Sequence, residues 1–316
     1  MKFYILKRLL SLIPVLFIVS IIVFLIIHLT PGDPVSVMLG QDASKQQIDE
    51  LRQSLGFNLP LYQQYFKWIG GVFQGNLGLS FFLKEPVTKA IFDHLGPTIS
   101  LAVLAEILAI MIGIPMGILA ARKRGSAADQ TFMGLSLLGI SIPSFLLSLF
   151  LMLLFSVYLK WLPVAGYQPL SRGLWTHLQY LIMPAFALGT MKSALIARMT
   201  RSSMLEVLNS AFIKTARSKG VKERHVVYKH ALRNAFLPIL TVIGQTFGGL
   251  IAGAAVIETI FNIPGIGQLI INSVLRRDYS VIQGTVLFVT FSYMFINLAI
   301  DLLYGVIDPR VRLNRK

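Results

Sequence analysis

The chain has 316 residues, of which 55% are hydrophobic and 14% charged, and its formal net charge is +15. A soluble domain carries about a quarter of its residues as charges, so this composition, with a mean hydropathy of +0.69, excludes a water-facing globule and places the chain in a membrane. There is no cysteine, which excludes disulfides and thiolate metal sites.

The first predicted element is the apolar run Leu9–Leu29. At 21 residues it exceeds the roughly 7–15 of a signal-peptide core and lacks a small-x-small cleavage site. It reads as an uncleaved transmembrane helix within residues 1–30, since about 20 residues at 1.5 Å rise cross the hydrocarbon. Residues 31–96 form an outer segment, in which "SKQQIDELRQSLG" predicts a short capped helix ending at Gly56. The Tyr, Phe, Trp and Gly that follow predict amphipathic pieces at the outer interface.

Five more runs of spanning length follow: Pro97–Ala121, Phe132–Leu159, Leu178–Ala197, Ala235–Ile257 and Gly284–Ile307. They are too long and too unalternating for a barrel, and Pro115, Pro143, Pro184 and Gly244 can be accommodated within a helix bundle. The prediction is an all-α polytopic protein with six transmembrane helices. With the N-terminus inside, the inner pieces 1–8, 122–131, 198–234 and 308–316 hold 19 Lys or Arg, and the two short outer loops, 160–177 and 258–283, hold 4. The excess of basic residues puts both termini in the cytoplasm.

The inner segment 198–234 carries nine basic residues and two acids. Leu208, Ala211, Phe212, Thr215 and Ala216 fall on one helical face. Gly220 interrupts, as a C-terminal cap does, and a second helix begins near Lys222 with Val227, Ala231 and Ala235 on one side. A disordered nucleic-acid arm lacks such periodicity. Attraction to anionic lipid accounts for the charge, at about 1 kcal/mol per basic residue, but not for the apolar stripe. Two short helices about a glycine turn suit docking of a soluble partner.

Other chemistries find no constellation here. No Gly-Lys dipeptide occurs, so the chain has no phosphate-cradling loop of its own. The five histidines form no metal spacing, and no cofactor site is expected. Two carboxylates, Glu106 and Asp301, fall inside predicted spans, where an ionisable group is costly. For Glu106 the alternatives are an interhelix contact and a proton relay in a stand-alone secondary transporter.

The stretch "KTARSKGVKERHVVYKHALRNAFLPILTVIG" resembles the cytoplasmic motif of permease subunits in binding-protein-dependent ABC importers. Lys214, Thr215 and Ala216 stand where the general motif reads E-A-A, Gly220 is its glycine, and Leu237-Pro238 its terminal L-P. Lys214 replaces the usual Glu, and the gap from Gly220 to Leu237 is longer than in the general motif. "HLTPGDP", "GIPMGILAARKRGS", "RMTRSSMLEVL", "ETIFNIPGIGQLI", "RRDY" and "DLLYGVIDPRVR" extend the resemblance over nearly the whole chain, to the B-type permease of dipeptide and oligopeptide importers.

That resemblance implies a type I ABC importer permease fold, with residues 97–307 as its core, in a prokaryotic inner membrane. It also implies a non-catalytic subunit working with a second permease, two cytoplasmic ATPases and an extracytoplasmic binding protein. The expected cargo is a peptide, with glutathione, nickel chelates or another small solute as alternatives. The coupling loop is expected to use Lys214, Thr215, Ala216, Arg217, Gly220, Val221, His230, Ala231, Asn234, Leu237 and Pro238. The outer loop, with Glu258, Phe261, Pro264, Gly265 and Gly267, is expected to lie over the pathway.

Overall fold

The computed structural model describes residues 2–29, 33–39 and 43–307, so the predicted tail 308–316 lies outside the described residues. The first apolar run forms α1 (Lys2–Leu29), which continues through Pro14. A short α2 (Pro34–Leu39) precedes α3 (Lys45–Leu55), which starts and stops as its sequence dictates. The Ser44 hydroxyl accepts from the Gln47 amide while the Gln47 side chain accepts from the Ser44 amide, and Gly56 ends the helix at φ +79°. The aromatic stretch folds as α4 (Leu61–Phe73).

Next come α5 (Val87–Arg122) and α6 (Ala127–Ser141). Pro115 lies inside α5 without breaking it. Pro143 does the opposite. The expected single span Phe132–Leu159 is instead two helices, α6 and α7 (Ser144–Leu151, continued by π-helical Met152–Tyr158), bent by 97°. A residue before proline is pushed out of the helical region, and Ile142 sits at φ −81°, ψ 118°.

The fourth run extends well beyond Leu178–Ala197 in both directions, as α8 (Leu174–Leu208). Its 35 residues reach about 52 Å at 1.5 Å each, more than the roughly 30 Å of hydrocarbon. The helix is therefore longer than a span requires. Beyond it lie α9 (Ala211–Ser218) and α10 (Glu223–His225), which runs through a π-helical turn at Val226–Ala231 into α11 (Leu232–Gly253). The chain then forms α12 (Ala255–Ile260), α13 (Ile266–Leu275) and α14 (Tyr279–Ile307).

Among the described residues four helices are long and apolar enough to cross a membrane, or five if the bent α6–α7 pair is one span. The expected count was six. The remaining expected run, Ala235–Ile257, corresponds to α11 and α12, which meet at Ala254.

The helices form two compact units. The larger comprises Ile99–Ile263 with the chain from Ile296 on. Its core is set by close approach of α5 and α8 at small residues. A Cβ at Gly113 would stand 2.6 Å from the Ser193 carbonyl oxygen, and one at Gly117 would stand 2.6 Å from that of Ala197. The spacing G-x-x-x-G thus lets two backbones touch, which drives helix association where lipid is as apolar as leucine. Leu101, Ala105, Leu181, Ala185, Leu250 and Ile257 fill one end of the unit. Ile196, Met204, Ile213, Val227, Ala231 and Ile239 fill another cluster. Asp129, at the start of α6, is buried and takes both Arg201 nitrogens at 2.7 Å.

The second unit comprises Lys2–Thr98 and Pro264–Phe295. Here α4 lies along α1, with Tyr65 bonded to Ser20 at 2.8 Å and Gln64 to His28 at 3.1 Å. Ile266 and Leu269 of α13 are buried with Val87, Ala90, Ile91 and Val281. Asp278 of the "RRDY" stretch is buried and accepts from the Ser80 hydroxyl at 2.5 Å and the Phe82 amide at 3.2 Å. These bonds fix the tight loop carrying Phe81, Phe82 and Leu83.

Candidate functional site

The elbow between α8 and α11 is built from local signals. The α8 helix stops at Leu208, and the Ser210 hydroxyl turns back to the Val207 carbonyl at 2.6 Å. The expected continuous stripe from Leu208 through Ala216 is therefore broken at Asn209 and Ser210. Once α9 starts afresh at Ala211, its seated residue is Ile213, fully buried among Met204, Val226, Val227 and Ala231. Phe212, expected on the apolar stripe, is 47% exposed. The second expected face fares differently: Val227, Ala231 and Ala235 are all buried.

Gly220 stands between α9 and α10 at φ +75°, and a Cβ added to it would meet nothing within 4 Å. Its amide donates to the Arg217 carbonyl at 2.9 Å, and the Val221 amide to that of Ala216 at 3.2 Å. This is the pair of bonds by which a left-handed glycine closes a helix. Glycine is required here by conformation rather than by space. Across the turn Arg217 bonds Glu223 twice, at 3.1 and 2.7 Å.

That bond to Arg217 holds the Glu223 carboxyl below its ordinary value of 4.5, against the small cost of burial. A carboxyl depressed in the folded state stabilises above its unfolded value, and the contribution is lost as pH falls through the folded one. The pair is half exposed, so the effect is small. Acidification from neutrality to below 4.5 should loosen the Gly220 turn, seen as faster exchange of the Val221 amide after correction for intrinsic rates. Glu223→Gln should remove that pH dependence.

The remaining expected elbow residues divide by exposure. Lys214, Thr215 and Arg217 are exposed or nearly so, while Ala216, Val221 and His230 are half-buried. Asn234 donates to the His230 carbonyl at 2.6 Å, and Leu237 and Pro238 lie within α11. Tyr228, 48% exposed, joins Phe212 as a second solvent-facing aromatic on the elbow. Helical periodicity does not single out either one as exposed; the available signal is an aromatic close to Lys and Arg in the chain.

The outer-loop residues divide between the two units. Glu258 and Phe261 are buried in the larger unit, where the Phe261 carbonyl accepts from Gly166 at 2.7 Å. Pro264, Gly265 and Gly267 belong to the second unit; Pro264 is exposed and the two glycines are buried.

Of the two intramembrane carboxylates, Asp301 lies in α14 with its side chain outside the described residues. Glu106 is 5% exposed; its Oε1 accepts from the Thr246 hydroxyl at 2.9 Å, and its Oε2 has no partner among the described residues. Thr246 lies 140 residues away, a partner no local pattern names.

Residues 113–313 match the family described as binding-protein-dependent transport system inner membrane component, and residues 1–102 match its N-terminal region. The chain is 46% identical over 308 residues to a putative peptide transport system permease protein of Brucella abortus, covering 98% of each. It is 43% identical to a glutathione transport system permease protein of Shigella flexneri, again over 98% of each. A probable peptide ABC transporter permease of Sinorhizobium fredii is 42% identical, over 99% of this chain and 100% of that one. In fold it is similar to a chain of the inward-facing MetNI methionine ABC transporter, with a TM-score of 0.58 at 18% identity over 69% of this chain and 96% of that one.

Proposed function

Because this chain belongs to the family of binding-protein-dependent transport system inner membrane components, we propose that it is the B-type permease subunit of an ATP-driven peptide importer. It pairs with a second, similar permease in a prokaryotic inner membrane, and both termini face the cytoplasm. The run of α11 with α12 serves as the sixth span. An extracytoplasmic binding protein delivers dipeptides or oligopeptides, and two separate ATPase subunits supply the work.

The observation that carries this reading is the elbow. A soluble partner needs a surface that is rigid, exposed and tied to the membrane helices. Here α9 presents Phe212, Lys214 and Thr215 outward while Ile213 anchors it to α8 and α11. A push on α9 is thereby transmitted to two long helices, whose position then links the ATPase site to the pathway.

Gly220→Val tests the assignment. A β-branched residue at positive φ costs roughly 1–2 kcal/mol, and the empty space around Gly220 means that strain is the only penalty. The variant should insert and bind its partners, yet lose most peptide uptake per ATP hydrolysed; Gly220→Asn, which tolerates this conformation, should keep it. Normal uptake by the valine variant at equal expression would refute the coupling role. Purification in mild detergent should bring down a second permease and two ATPases.

The similarity to a glutathione permease favours a second cargo. Competition between a labelled dipeptide and glutathione for uptake decides between them.

A further inference from the structure

A groove in the larger unit is lined on α8 by Lys192, Arg198 and Ser202 and on α11 by Gln245 and Thr246. On α8 the lining positions recur at helical spacing, so both helices turn polar groups to the same space. The cavity measures about 530 Å³, within the roughly 300–1,000 Å³ of small-ligand sites. Lys192 is half-buried, and its Nζ lies 3.6 Å from where a Cβ at Gly249 would stand. Among the described residues no carboxylate lies within 4.0 Å of that ammonium.

An acidic side chain stands behind the groove wall at Thr246. Glu106 is buried against Thr246 with one oxygen unpartnered, and Lys192 acts on it through space without closing an ion pair. An ammonium and a carboxyl group, each costly at membrane depth when charged, are thus held apart. Thr246 lies between Glu106 and the groove. Its hydroxyl has one proton and three acceptors in reach: Glu106 Oε1 at 2.9 Å and the carbonyls of Val242 and Ile243 at 2.9 and 2.8 Å. Given to a backbone carbonyl instead, that proton leaves both Glu106 oxygens without a donor, and rotation of Thr246 about its Cα–Cβ bond moves Oγ1 aside.

We propose that this groove is a way-station for zwitterions. Lys192 takes the ligand's carboxylate, the free oxygen of Glu106 takes its ammonium once Thr246 turns aside, and Gln245 serves the polar atoms between. The inference rests on the peptide-importer reading and specifies how that cargo is held inside the membrane.

The test uses the complete purified complex in nanodiscs, without binding protein. The probes are labelled dialanine, its C-terminal amide and its N-acetyl form. The native complex should bind dialanine at least about tenfold more tightly than either blocked form. Lys192→Gln should weaken dialanine about tenfold and leave the amide unchanged, erasing that discrimination, while Lys192→Arg retains it. Glu106→Gln should do the same for the N-acetyl form. Equal loss for all three probes in either Gln variant, or no loss, overturns the proposal, as does a native complex that transports dialanine but does not discriminate the blocked forms. ATP hydrolysis stimulated by a binding protein is followed in parallel. Its persistence in the variants leaves the importer reading standing even where the groove fails, whereas a native complex that never transports dialanine removes the peptide reading itself.

Discussion

Replacing Gly117 with alanine is expected to strip most folded protein from the membrane, although the change adds one methyl group. That methyl would stand 2.5 Å from the Thr200 Cβ and 2.6 Å from the Ala197 carbonyl oxygen. Neither can swing aside, because one is the root of a side chain and the other is backbone. Relief requires moving α5 and α8 apart, which opens the contacts around Gly113 and Ile196 as well. Overpacking costs about 1–3 kcal/mol in cores that can adjust, and this one has little freedom to do so. Gly134→Ala is the control. It also lies in a helix, but nothing stands within 4 Å of its added carbon, so it should melt as the native protein does. Detergent melting curves of the two variants check the expectation, and equal curves would show that the approach of α5 to α8 is not tight.

The difference between these two glycines shows what the sequence could and could not announce. Signals that act within a few residues were legible. Ser44 with Gln47 starts a helix, Gly56 and Gly220 end helices at positive φ, and Val227, Ala231 and Ala235 mark a buried face. Pro143 was legible as a proline but not as a 97° bend, because Pro115 and Pro184 sit unbroken in α5 and α8. Whether a helix survives a proline depends on its neighbours. Helix ends beyond the hydrocarbon were also misjudged, since hydropathy reports the span and not the helix; α8 continues well past Ala197, to Leu208. Pairings across the fold, Glu106 with Thr246 or Gly117 with Thr200, leave no trace in local pattern.

Asp129 and Arg201 are the clearest such pair, 72 residues apart, and the second large effect is expected there. The carboxylate is 6% exposed and the guanidinium 28%. Two parallel 2.7 Å bonds join Nε to Oδ1 and Nη2 to Oδ2, the geometry for which arginine and not lysine is suited. The same carboxylate takes the Gly125 amide at 3.0 Å at the start of α6. Arg201→Met leaves that charge buried with a single weak donor, and stranding one partner of a buried pair costs roughly 3–5 kcal/mol. The partly open guanidinium argues for the lower end of that range. Arg201→Lys keeps the charge but loses the fork, so it should fall between methionine and native in melting temperature. The double variant Asp129→Leu with Arg201→Met removes both charges, and replacing a whole buried pair by apolar groups is often neutral. It should therefore recover part of what Arg201→Met loses, short of the native value by the lost bond to Gly125. A double variant no more stable than Arg201→Met would mean that the carboxylate serves α6 on its own account and that the bond to Arg201 is incidental.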